Sequence, residues 1–228
     1  MTGTRRLREL LGRPGLVVAP GVYDGLSAII AQQAGFEAVY ASGGAIARSA
    51  GLPDLGLLSS TEAAGRIAEI VEAVDLPVIV DADTGYGNAL NVRRTVAQLE
   101  RIGVAALHLE DQITPKKCGH YNNKSLIDTA EMSAKLRAAL DARTDDNLLL
   151  IARTDAIAVE GFDAAIDRAA AYAAAGADML FVEAPQSVAQ VRQIAQRLGV
   201  PLLINMFAGG KTPLMDAAQL AGLGYRVL

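Results

Sequence analysis

The chain carries one cysteine, two histidines and five lysines in 228 residues. A single cysteine excludes an internal disulfide and suits a reducing compartment, so a cytoplasmic location is expected. The formal net charge is −4 and no basic run interrupts it, which argues against a nucleic-acid partner. No apolar run approaches the roughly 20 residues of a membrane span, and the Arg-bearing N-terminus has no apolar h-region, so neither membrane insertion nor secretion is indicated. No low-complexity tract or linker divides the sequence. No G-x-G-x-x-G follows the first apolar run, which counts against a dinucleotide-binding fold. With 51% hydrophobic and 20% charged residues the composition is that of an ordinary globular chain, and a single domain over residues 1–228 is expected.

What is present is a repeat of short apolar runs and amphipathic segments. Residues 4–11 read as a short helix stopped by Gly12 and Pro14. Apolar runs then follow at 16–19, 38–40, 77–80, 105–109, 148–152, 179–182, 201–204 and 225–228. Helices are expected between them: 25–34 capped by Asp24, 60–74 opened by a Ser59/Glu62 capping box, and 90–101. Further helices are expected after an Asp128/Glu131 capping box and over 161–175, 187–198 and 214–221, while 42–58 reads as a long loop. The runs are apolar throughout rather than alternating, as in parallel sheets buried on both faces. The class is therefore α/β, either a (β/α)8 TIM-type barrel or a doubly wound sheet, and eight near-equal units favour the barrel.

Polar residues cluster directly after these runs: Ser42, Gly43 and Gly44, then Asp81 and Asp83, then Glu110, Asp111 and Gln112. Arg153 and Asp155 follow the fifth, Glu183 the sixth and Asn205 the seventh. In a barrel these ends share one face, where active sites of such folds lie. Asp81 and Asp83 are two residues apart on extended chain, so their carboxylates point to the same side about 7 Å apart. With Glu110 they place three acids in a small volume, which repel unless a proton or a cation neutralises them; oxygen ligands suit Mg2+ or Mn2+, and pairing with Arg153 or a lysine is the competing reading. Ser42-Gly43-Gly44 offers backbone N–H groups to an anion, although a plain flexible turn has the same composition. Arg153 presents a planar fork to a carboxylate. His108 lies within the fourth run, and its direction is open.

The lone Cys118 falls in Pro115-Lys116-Lys117-Cys118-Gly119-His120, and both histidines and three of the five lysines lie between residues 108 and 124. A free cysteine is commonly a small buried hydrophobe, but no apolar residue lies within two positions of this one. Flanking ammonium groups and an imidazole are expected to lower its pKa and prime it for proton transfer or attack.

The segments Val80–Gly87, Leu107–Gln112, Lys116–His120 and Ala152–Ala156 resemble the isocitrate lyase/phosphoenolpyruvate mutase superfamily, with similarity from about Leu16 onward. The Lys-Lys-Cys-Gly-His run is similar to that of the short lyase branch, whose members act on methylisocitrate or dimethylmalate. The resemblance implies a modified (β/α)8 barrel, here with its C-terminal end truncated at Leu228. It also implies Mg2+ held by Asp81 and Asp83 with Asp54 and Glu110 in support, and a substrate carboxylate held by Ser42, Gly43 and Gly44. Arg153, Asn205, Lys117 and Gly119 would lie near that carboxylate, and Cys118 would be the general acid. The family continues past this point into a helix exchanged with a neighbour, so a homo-oligomer, tetramer or dimer, is expected. Two departures bear on the substrate: Ala208 stands where dimethylmalate-type relatives carry an acid, and the Glu-Phe-Gly of methylisocitrate-type relatives is absent.

The expected reaction is a retro-aldol cleavage of a 2-hydroxy di- or tricarboxylate into an α-keto acid and a carboxylic acid. Arg153 and His120 would stabilise the enolate and Cys118 would protonate it. Tyr40, Glu183 and a metal-bound water remain alternatives for the base. Oxaloacetate hydrolysis, phosphonate-forming phosphomutase chemistry and a non-catalytic carboxylate-binding role are the competing readings.

Overall fold

The computed structural model describes residues 2–228. Seven strands form one parallel sheet in sequential order: β1 (Gly21–Val22), β2 (Val39–Ala41), β3 (Val78–Asp81), β4 (Ala106–Glu110), β5 (Leu149–Thr154), β6 (Met179–Val182) and β7 (Leu202–Leu203). The eighth apolar run closes it. Val227 bridges both Leu203 and Val17 in parallel, and Ala19 N–H donates to Leu228 O at 2.7 Å. The first run therefore splits its work. Residues 16–19 pair with the chain's last residues, and the ladder to β2 begins only at Gly21.

Around the sheet run α1 (Gly3–Gly12), α2 (Gly25–Gln33), α3 (Gly43–Ser49), α4 (Ser60–Ala73), α5 (Ala89–Ile102), α6 (Thr129–Ala142), α7 (Phe162–Ala174), α8 (Val188–Arg197) and α9 (Ala217–Leu223). None is long and apolar enough to cross a membrane among the described residues. Asp24 caps α2, and the Ser59/Glu62 box opens α4 as its spacing predicts. Two expectations fail. Asp128 precedes α6 without any side-chain cap bond, so that box does not form. The segment expected as a loop over 42–58 contains α3, whose Ser42 side chain accepts from Ala45 N–H. Two glycines at its start weaken the helical signal, and the cap and the packing of Ile46 and Ala47 override that.

Alternation along each strand divides the apolar residues into two cores. Ile79, Ile151, Met179, Phe181, Leu203 and Val227 face inward and pack with Leu7 and Leu10 of α1, which covers the end where strands begin. Val78, Val80, Leu107, Leu150 and Leu180 face outward against the helices. Both faces are buried, so the strands read as unbroken apolar runs.

A buried polar knot fixes the β5 end. Asp111 is 0% exposed and accepts from Thr154 Oγ1 at 2.7 Å, Tyr172 OH at 2.8 Å and Asp155 N–H at 3.0 Å. Arg168 Nη1 stands 3.5 Å away and its guanidinium also pairs with Glu160. Removing the carboxylate would strand several buried donors and an arginine. Asp111→Ala is expected to lower the unfolding free energy by about 3–5 kcal/mol. Urea unfolding followed by circular dichroism tests this, and an unchanged midpoint would mean that the knot contributes nothing to stability.

Candidate active site

The strand ends and their loops enclose a cavity of about 500 Å³. Its wall includes Tyr40, Ser42, Gly44, Asp54, Asp81, Cys118, Gly119, His120, Arg153, Glu183 and Asn205. Eleven residues expected from sequence thus meet in one space although they come from six different strand–helix loops or strands. Lys117 does not join them: its ammonium turns outward to Asn123 O at 2.7 Å, while its backbone pairs with the Gln112 side chain. Asp83, Glu110 and Gly43 stand behind the wall.

Arg153 lies at the centre. It is 6% exposed and faces Asp155 through Nε at 2.9 Å, Glu110 through Nη1 at 3.3 Å and Glu183 through Nη2 at 3.4 Å. Its guanidinium also covers the Phe181 ring, 5.2 Å from the centroid. These acids hold Arg153 charged despite burial, and Arg153 with Lys124 holds the buried Asp155 down to about 2. Gly119 rests directly on this group. A Cβ there would meet Arg153 Nη2 at 2.5 Å and Glu183 Cγ at 2.6 Å, so no side chain fits. Lys124 donates to Gly119 O and to Asp155, fastening the cysteine loop to β5.

The acids divide in a way spacing could not show. Lys116 Nζ is 2.8 Å from both Asp54 Oδ1 and Asp83 Oδ1, so an ammonium already bridges one residue expected to hold the metal, Asp83, and one expected to support it, Asp54. Asp81 instead joins His108 and Glu110, whose ligand atoms lie within 4.8 Å of one another. His108 therefore points inward, and its Nε2 meets Asp81 Oδ1 at 2.7 Å and Tyr40 OH at 3.3 Å. Burial lowers the His108 pKa to about 4, so the ring is neutral. Glu110 is fully buried and neither oxygen accepts a hydrogen bond, while burial pushes its pKa well up. A buried carboxylate with no hydrogen bond, beside a second one and sharing Arg153 with two other acids, fits a divalent cation, which would add the charge that the shared guanidinium does not cover.

Cys118 departs from its expected ionisation. Burial, the largest cause, pushes the thiol pKa up, and the charges of Asp54 and Glu183 add to it. The flanking lysines do not oppose this, because Lys116 is spent on Asp54 and Asp83 and Lys117 faces away. The thiol is therefore held protonated on the cavity wall. His120 is neutral as well, its pKa lowered chiefly by burial. Its Nδ1 accepts from Lys211 N–H at 3.1 Å, which assigns the proton to Nε2, a buried donor with no hydrogen-bond partner. The Gly43 N–H donates to Asp81 Oδ2 at 3.3 Å, so the Ser-Gly-Gly turn has one free N–H fewer than expected; the Ser42 hydroxyl oxygen accepts from Ala45 N–H as a helix cap and keeps its O–H to donate.

Sequence reasoning passed over two residues that matter here, His108 for want of a direction and Arg48. Arg48 lines the cavity from α3, and reading 42–58 as a loop removed the helical periodicity that would have signalled it.

A family model described as phosphoenolpyruvate phosphomutase matches residues 7–228. A 2-methylisocitrate lyase of Aeropyrum pernix is 50% identical over 97% of this chain and 71% of its own length. A 2,3-dimethylmalate lyase of Eubacterium barkeri is 45% identical over 100% of this chain and 79% of its own. A crystal structure of 2,3-dimethylmalate lyase superposes with a TM-score of 0.96 at 42% identity, covering 100% of this chain and 77% of that one. The closed parallel barrel, the acids at its strand ends and these likenesses agree: the chain belongs to the phosphoenolpyruvate mutase/isocitrate lyase superfamily.

Proposed function

We propose that the chain is a Mg2+-dependent carbon–carbon lyase that cleaves a 2-hydroxy di- or tricarboxylate into an α-keto acid and a carboxylic acid. The observation that carries this reading is the protonated Cys118 thiol on the wall of the same cavity as Asp81 and Arg153. The names of the relatives, lyases for methylisocitrate and dimethylmalate, support the same chemistry.

Asp81 and Glu110 would hold the Mg2+ (or Mn2+), with Asp83 and Asp54 beside them. Bound there, the ion supplies a Lewis acid that makes a chelated hydroxyl more acidic and polarises the carbonyl formed from it. His108 orients Asp81 through its Nε2 contact. Tyr40 is a poor base, because burial and the charge of Asp81 hold its phenol well above the ordinary value. Glu183, on the wall between His120 and Arg153, is the side chain left to accept the 2-hydroxyl proton. Breaking the C2–C3 bond then leaves its electron pair as an enolate of the departing carboxylic acid. The unpartnered His120 Nε2–H and the Arg153 guanidinium are positioned as donors to that charge, at no reorganisation cost. Cys118 gives its proton to the carbanion carbon, and a raised pKa serves this step by keeping the thiol loaded at neutral pH. Ser42, Gly44, Gly119 and Asn205 would bound the carboxylate end, with the Lys117 backbone carbonyl fixing the loop through Gln112. The protein would be a cytoplasmic homo-oligomer; exposed Leu26, Ile29 and Ile30 on one side of α2 offer an apolar surface for such contacts.

Cys118→Ser is expected to keep the fold and Mg2+ binding while losing about 10² to 10⁴ of kcat, since a hydroxyl is a far weaker acid. The assay is steady-state turnover on methylisocitrate, dimethylmalate and oxaloacetate, and near-normal turnover by the variant would remove the thiol from the chemistry. The second expectation concerns the metal. Asp81→Asn should weaken Mg2+ binding at least about 10-fold by calorimetry, in line with the loss seen on disturbing metal-site shells. Chelator should stop turnover of the parent protein until Mg2+ is restored, and full activity in excess chelator would end the metal reading.

A further inference from the structure

The cavity is rich in charge, yet almost all its cations are already committed. Lys116 is shared by Asp54 and Asp83 at 2.8 Å each, and Arg153 is divided among Asp155, Glu110 and Glu183. His120 is neutral. The wall itself carries the carboxylates of Asp54, Asp81 and Glu183. A substrate with several carboxylates entering here meets a surface whose positive charge is largely neutralised.

Arg48 is the exception. It is exposed, lines the cavity and, among the described residues, takes part in no ion pair and no side-chain hydrogen bond. Its placement follows from helix geometry, because a helical side chain points back toward the N-terminus and over the residue four positions earlier. That residue is Gly44. The Arg48 Nη1 lies 3.3 Å from where a Cβ on Gly44 would stand, and Asp54 Oδ2 lies 2.7 Å from the same point. The bare backbone at Gly44 leaves room for both Asp54 and the guanidinium, which lies back along α3 and lines the cavity. A lysine or arginine in the last turn of a helix ordinarily complements the C-terminal end of the dipole. This one instead reaches the opposite end of its helix, so the dipole does not account for it.

We infer that Arg48 is a specificity-determining residue that receives an outer carboxylate of the substrate, one remote from the carbon centres held near Asp81 and Arg153. The inference rests on the lyase reading for the identity of the substrate, but the charge recognition stands on the cavity alone. Arg48 thereby makes the site favour an extended polycarboxylate over a compact one. A planar guanidinium on an open rim can pair with such a group in bidentate fashion without displacing an existing ion pair.

The test compares two probes on the intact chain with Mg2+ present: oxalate, which is compact, and propane-1,2,3-tricarboxylate, which extends to the rim. Calorimetry on the parent, Arg48→Gln and Arg48→Lys gives the dissociation constants. Arg48→Gln should weaken the tricarboxylate about 10- to 100-fold, the loss of a charge-assisted pair, and leave oxalate within about twofold. Arg48→Lys should fall between, keeping charge without the fork. With the cleaved substrate, the Arg48→Gln defect should appear in KM rather than in kcat. Equal weakening of both probes, or none, in a variant of unchanged thermal midpoint overturns the inference. A parent protein that binds both probes but cleaves no 2-hydroxy carboxylate would sink the lyase reading and leave the Arg48 comparison to stand or fall on the two constants.

Discussion

The buried guanidinium of Arg153 is the constraint to which most of the site answers. A charge only 6% exposed is tolerated only when it is paired, and three acids from three separate places meet it: Glu110 from β4, Asp155 beyond β5 and Glu183 beyond β6. Asp155 is in turn held by Lys124, which also takes the carbonyl of Gly119, so the cysteine loop is tied to the same point. Behind it, the Asp111 carboxylate grips Thr154 and the Asp155 amide. One arginine thus connects three strands, the loop that carries Cys118 and the knot under it. Fixed placement of this kind is what a site needs if donors are to be in place before charge develops.

A second pairing separates roles among the remaining acids. Lys116 bridges Asp54 and Asp83, which leaves Asp81 against the neutral His108 and beside Glu110, whose only paired cation among the described residues is the Arg153 guanidinium shared with Asp155 and Glu183. The burial that makes Glu110 costly as an anion is the same property that makes the position suited to a metal. On the other side of the cavity burial works on a thiol in the opposite functional sense. A reactive nucleophilic cysteine needs a lowered pKa, whereas a proton donor to a carbanion needs a retained proton, and Cys118 has the second environment.

Much of this was legible in the chain itself. The apolar runs at 77–80, 105–109, 148–152 and 179–182 lie within one or two residues of β3 to β6, because strands buried on both faces leave short continuous apolar runs too short for a helix. Polar residues just beyond each run marked the face of the barrel on which the cavity opens. Where local signals conflicted, the reading failed: two glycines hid α3, and the Asp128/Glu131 spacing met no cap bond. Closure was the least visible feature, since it depends on Val17 and Val227, 210 positions apart in sequence, meeting in space.

Sequence alone determined the eight-unit α/β architecture and the residues that stand at its strand ends, because periodicity and chain direction are local properties that pleat and helix geometry convert into position. It also determined that the rare side chains Cys118 and His120 share one short loop. Tertiary structure alone decided what those residues do electrically. Lys116 reaches Asp54 across 62 positions rather than Cys118 across two, His108 turns inward to Asp81, and Arg48 folds over Gly44 into the cavity. Proton affinity and charge pairing depend on desolvation and on through-space neighbours a few ångströms away, and neither is a function of separation along the chain.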